Sequence, residues 1–282
     1  MKKEKSRRNK REKKSKRKQK YIPQKALFGN GEDYYIYRMS FVEKLTGGAL
    51  GFLVGAFVCM TFFRNFLLSG IVGILLILPG IGKYREFLKA RRQKALLIQF
   101  RDMLESLTAS YSTGKNTQGA FEDAYGDMAD IYGKKADIVH EIEMIVNGIY
   151  NGQNIEALLK NFAERSHLDD VESFATIFEV SSRYGGNLKK AVGDTYRIIN
   201  EKIEMEMEIR TLLTANKNEL NIMMLMPLII MVTLSGMGSM SIVQNTPLNV
   251  LTKVIALALF GTAYYIGRKI IDIKISRYRG QR

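Results

Sequence analysis

Apolar and polar residues fall into blocks along this chain: two apolar stretches, a long mixed region, then two more apolar stretches. They run from Gly47 to Phe63, Phe66 to Gly82, Ile222 to Val243 and Val250 to Gly267. A helix crosses the hydrocarbon core of a bilayer with roughly 20 apolar residues, within a range of about 17 to 25. Each stretch lies in or near that window, and none carries a charge at its middle. Arg64 and Asn65 alone join the first pair, and Gln244 to Asn249 join the second. The pattern predicts two transmembrane helical hairpins, at 45–82 and 222–268, flanking one polar domain at 83–221.

Within that domain the apolar residues recur at helical spacing. Leu97, Phe100, Leu104, Leu107 and Tyr111 form one stripe, and Ile138, Ile142, Ile145 and Ile149 another. Leu158, Leu159 and Phe162, then Phe174, Ile177, Phe178 and Ser181, continue the pattern. No proline occurs between Gly80 and Met226, so the strongest helix breaker is absent. Ile203 to Ile209 alternates with a period of two, which is a strand signature. Its Glu and Met residues favour helix, and in a helix they give two apolar stripes, suited to burial on two sides. The predicted fold class is all-α: two membrane hairpins around a cytoplasmic helical bundle.

The expected turns share a word. Gly114-Lys-Asn116, Gly152-Gln-Asn154 and Gly185-Gly186-Asn187 each place glycine where a helix ends and asparagine where the next begins. Glycine takes the left-handed closing conformation, and asparagine is a strong N-cap. Tyr111, Tyr150 and Tyr184 close the preceding helices, and Ala120, Ala157 and Ala191 follow. A fourth boundary reads as a capping box, Asp169 with Glu172.

Charge orients the chain. Lys83, Arg85, Lys89, Arg91, Arg92 and Lys94 follow the second span, and Arg268, Lys269, Lys274, Arg277, Arg279 and Arg282 follow the fourth. Only Arg64 and Lys253 fall on the other side. The positive-inside rule then puts both termini and the domain of a multi-pass membrane protein in the cytoplasm. Residues 1–44 carry 16 basic and 5 acidic side chains, a net of +11, and residues 269–282 form a second basic tail. Residues 95–221 carry 13 basic and 21 acidic side chains, a net of −8. The long tail reads as a solvated linker or as a ligand of anionic headgroups. No folded nucleic-acid reader accompanies it, so nucleic acid is not an expected partner.

The search for chemistry ends without a catalytic set. Ala109 to Asn116 looks superficially like a phosphate loop, but lacks its first glycine and the Ser or Thr after Lys115, and follows a helix. Asp137 with His140 and Glu164 with His167 have carboxylate-histidine spacing, yet they lie off the apolar stripes, where bundle metal ligands belong. Cys59 is the one cysteine, which excludes disulfides within the chain. No ionisable residue lies mid-membrane, which argues against a transporter. No cofactor, metal or enzymatic activity is expected. Gly47, Gly51 and Gly55 recur every four residues, a spacing that lets a neighbouring membrane helix approach closely.

The layout resembles the TadB/TadC-like inner-membrane platform proteins of tight-adherence (Flp) pili, within the type II secretion system F-domain family. The resemblance covers about residues 95–221 and is carried by Phe174-Ala-Thr-Ile-Phe178, Tyr184-Gly-Gly-Asn-Leu188, Ala191 and the helix through Ala215-Asn-Lys217. Phe100 to Ala124, with Gly114, is similar to the first half of the family's internal repeat. A single such domain departs from the secretion F proteins, which carry two, and favours the pilus branch. The resemblance implies a platform that couples a cytoplasmic assembly ATPase to pilin subunits, beside a second platform protein or further copies of itself. Asp169, Asp170, Glu172 and Glu179 are candidate docking residues on the acidic domain. A permease or transport subunit, and a membrane scaffold unrelated to secretion, remain the alternatives.

Overall fold

The computed structural model describes residues 23–63, 65–184, 186–236 and 247–280. Its described residues form eight helices and no strand: α1 Phe41–Phe63, α2 Phe66–Ser112, α3 Thr117–Tyr132, α4 Asp137–Tyr150, α5 Ile155–Ser166, α6 Asp169–Arg183, α7 Leu188–Gly236 and α8 Pro247–Gly280. The period-two run Ile203 to Ile209 is helical within α7. Ile203 is buried, whereas Met205 and Met207 are exposed, so one side of that helix is covered and the expected burial on two sides is not seen.

The chain divides into two compact units. The first contains Asp102–Val192 together with the described part of Met1–Ile36, and the second contains Tyr37–Arg101 and Gly193–Arg282.

The core of the first unit comes from facing helix stripes. Met103, Leu104 and Leu107 of α2, Phe121, Ala124 and Met128 of α3, and Ile138, Ile142 and Ile145 of α4 are buried. Leu158, Leu159 and Phe162 of α5 and Val171, Phe174 and Phe178 of α6 complete it. Phe178 meets Phe121 edge-on with ring centroids 6.4 Å apart, which suits the quadrupoles of the two rings. Ile177, read from its spacing as a core residue, points outward instead. Hydroxyl–carboxylate bonds tie α2 to α3: Ser106 donates to Asp127 at 2.5 Å, Ser110 to Asp123 at 2.7 Å, and Tyr132 to Asp102.

The helix junctions show how the glycine and asparagine residues work. Gly114 and Gly152 have φ of 82° and 73°, a region that L side chains rarely enter. Asn116 accepts from the Gly119 amide at 2.8 Å, Asn154 from the Glu156 amide at 2.8 Å, and Asn187 from the Lys190 amide at 3.0 Å. Gly186 serves differently, because a Cβ there would sit 3.0 Å from the Ser181 Cα. Gly185 lies outside the described residues. The Asp169/Glu172 capping box does not form. Leu168 occupies the N-cap, so Asp169 is already the first helical residue, and Ser166 Oγ accepts the Leu168 amide instead.

In the second unit, α1 and α2 pack through a seam of small residues. A Cβ on Gly51 would lie 2.5 Å from the Leu76 carbonyl oxygen, and one on Gly55 would lie 2.6 Å from Leu76 Cδ1. Gly47 abuts Tyr84 and the Gly47 carbonyl abuts Gly80, so glycine on both helices permits the approach. Asn65 caps α2 by accepting from the Leu67 and Leu68 amides. Among the described residues, α1 and α2 are long and apolar enough to cross a membrane, and Leu251–Gly267 is a shorter apolar helical stretch. α7 is unbroken across Pro227, and the end of the third expected span, 237–243, lies outside the described residues.

Candidate docking surface and the strap beside it

α6 presents the carboxylates that the sequence offered as docking residues. Asp169 and Glu172 are exposed and Asp170 is half-buried, all three in the first turn, where the helix dipole favours negative charge. The buried Val171 fixes the turn against the core. Glu179 bonds Arg183 at 2.9 Å one turn further on. The four carboxylates do not share one face. Helical spacing aligns Asp170 with Ser173, Ile177 and Tyr184, whereas Glu172 lies in line with Glu179.

Sequence reasoning placed Ile177 on an apolar stripe and Tyr184 at a helix end, and did not expect this face to be exposed. Ile177, Val180 and Tyr184 are exposed by 41, 53 and 84%, so α6 carries an uncovered apolar strip beside its acidic start. Polar bonds also cross neighbouring junctions. Tyr150 donates to Glu122 at 2.6 Å, which pushes the Tyr150 hydroxyl up and holds the Glu122 carboxyl below its ordinary range. Ser182 donates to Glu156 at 2.6 Å between α6 and α5.

The larger omission lies before α1. Residues 24–36, read as part of a basic tail, are docked on α4 and α5 as a strap. Asn161 accepts the Leu27 amide at 3.1 Å and donates to the Lys25 carbonyl at 2.9 Å. Arg165 donates to the Glu32 carbonyl at 3.2 Å, and its own carbonyl accepts the Tyr34 amide at 3.0 Å. Asp33 closes the strap on itself by accepting the Gln24 and Tyr35 amides, both at 2.8 Å. Beneath it, Arg165 and Glu141 form a buried ion pair that also accepts the Tyr34 hydroxyl at 2.9 Å. Gly31 is needed there, since a Cβ would lie 2.5 Å from Arg165 Nη1.

Both histidines face this strap. His140 Nε2 lies 3.4 Å from the Asn30 carbonyl, and its Nδ1 lies 3.7 Å from Glu143. His167, in a left-handed conformation that ends α5, lies 3.3 Å from Asp33 and stacks at a tilt on Tyr35. His140 and His167 thus both meet strap residues, and His140 also meets Glu143.

Residues 121–236 match the family model of the type II secretion system protein F, from α3 to the end of α7. No curated protein and no solved structure matches the chain. The matched stretch is thus similar to the type II secretion system protein F domain, on a chain with two helices long and apolar enough to cross a membrane.

Proposed function

We propose that the chain is a multi-pass platform protein of the cytoplasmic membrane, serving a type IV-like (Flp/Tad) pilus or a type II secretion machine. It couples a cytoplasmic assembly ATPase to pilin subunits in the membrane and carries out no catalysis of its own. The observation that supports this reading best is the protein F family match over residues 121–236 in a chain with apolar membrane helices. The hairpins at 45–82 and 222–268 hold the protein in the bilayer, with both termini and 83–221 cytoplasmic. A second platform protein or another copy of the chain stands beside it. The basic residues of the N-terminal tail bind anionic headgroups, each contributing about 1 kcal/mol near the surface.

The acidic domain docks the ATPase, with Asp169, Asp170, Glu172 and Glu179 at the contact. Rim charges set association rate and salt dependence more than final affinity. Reversal of Asp169, Asp170 and Glu172 to lysine in the full chain therefore lowers ATPase capture, most at low salt, while membrane insertion stays normal. Capture that is unchanged at every salt concentration contradicts this docking surface.

A further inference from the structure

α7 leaves uncovered an apolar stripe outside its membrane stretch. Before Ile222, one side of the helix carries Thr195, Ile199 and Ile203, all buried. About a third of a turn away, Ile198, Met205 and Leu212 recur every seven residues and are exposed by 58, 41 and 65%. A line of that period drifts only about 20° per repeat, which suits a shallow crossing with another helix. Exposed Glu201 and Glu208 flank the stripe on one side, and the Arg197 beside them lies 3.5 Å from Asp194.

α2 carries the complementary face just past its own apolar stretch. Phe87 is 61% exposed, and Lys83 and Arg91, one turn to either side of it, are exposed too. The two faces also stand at one level within the second unit. Arg101 of α2 donates to Asn200 of α7 at 3.3 Å. Measured along the helices from that bond, Arg91 and Glu208 lie about 15 and 12 Å away, and Phe87 and Leu212 about 21 and 18 Å. Copies held in one bilayer share a depth, so the α7 stripe of one meets the α2 face of the next at matching height.

We propose that a second copy of this chain covers the α7 stripe with its α2 face, Phe87 against Leu212 and Arg91 against Glu208. Apolar anchors beside opposite charges fix partner and register. The contact is head-to-tail, because it uses a different face on each copy, and such contacts close into rings or run on as arrays. Two α7 stripes pair less well, since Glu201 and Glu208 on one flank face Glu206 on the other helix. This contact deepens the reading of a platform that stands beside another copy, and it rests on that membrane layout.

The test is disulfide cross-linking of the full-length chain in its own membrane, with Cys59→Ala as background. Two differently tagged copies are co-expressed, one Leu212→Cys and the other Phe87→Cys, and oxidised with copper phenanthroline. A cross-linked species bearing both tags is expected, at least fivefold more abundant than any dimer from either variant alone. Glu208→Lys on the first copy is expected to cut its yield at least threefold, and Arg91→Glu on the second to restore it. No cross-link, with both copies in the membrane at normal level, overturns the contact. Dimers from Leu212→Cys alone, which mark α7 against α7, overturn it too, as does a yield that ignores the charge reversals. A deleted strain with normal output, alongside an intact cross-link, contradicts the platform role and leaves the contact standing.

Discussion

Arg165 grips Glu141 with both ends of its guanidinium, at 2.7 and 2.5 Å, and their side chains are only 3 and 0% exposed. Removing one partner of such a pair strands the other charge, at a cost of about 3 to 5 kcal/mol, whereas apolar replacement of both can be neutral or better. Arg165→Met alone should therefore destabilise the protein by about that amount, and Glu141→Leu with Arg165→Met by less than either single change. Denaturant melts of the full chain in detergent measure this. A double variant whose loss equals the sum of the two singles contradicts the pairing.

The turn glycines separate into two kinds. Gly114→Val and Gly152→Val force a β-branched residue into positive φ, a strain of about 1 to 2 kcal/mol. At Gly186 the obstacle is contact with Ser181, so even Gly186→Ala should destabilise, which handedness alone does not demand. Asn116→Ala, Asn154→Ala and Asn187→Ala each lose a cap of about 1 kcal/mol. Unchanged melting midpoints across all six variants leave these junctions unsupported.

Asp123 should make part of the stability pH-dependent. Its carboxyl is held below the ordinary carboxylate range, first by the hydrogen bond from Lys115 and then by that from Ser110. A depressed native pKa means stabilisation that is present at neutral pH and lost as pH falls through the acid range, below about pH 4. Asp123→Asn should be less stable than wild type at pH 7, and the gap should close as both are acidified. A gap that widens on acidification has the wrong sign. Because the Lys115–Asp123 pair is partly exposed, the effect is small and shrinks with salt.

What could be read in the sequence was local. Helix stripes, the Gly-x-Asn turns and the glycine seam of the first hairpin depend on neighbours a few residues away, and each leaves a spacing in the chain. The strap leaves none, because Leu27 and Asn161 are 134 positions apart and Tyr34 and Glu141 are 107 apart. A hint was present: Glu141 sits between Ile138 and Ile142 on a buried stripe, and Arg165 beside Phe162, where a lone charge needs a partner. Ser40 and Glu43 likewise have capping-box spacing, but lie in a segment whose charge suggested a tail. Ile177 fits the helical period of the core yet faces outward, since period assigns a face without saying what covers it.

Topology follows from the paired spans and the basic flanks. Reporters fused after Asn65 and Asn245 should read as external, and those after Lys94 and Arg282 as internal. An external reading for a fusion near Lys134 contradicts the layout.

The platform role itself is tested most directly by deleting the protein from its own cell and measuring filament assembly or secretion. Loss of output with the assembly ATPase still present, restored by the wild-type chain, is the predicted result. A deleted strain that assembles and secretes normally contradicts the account.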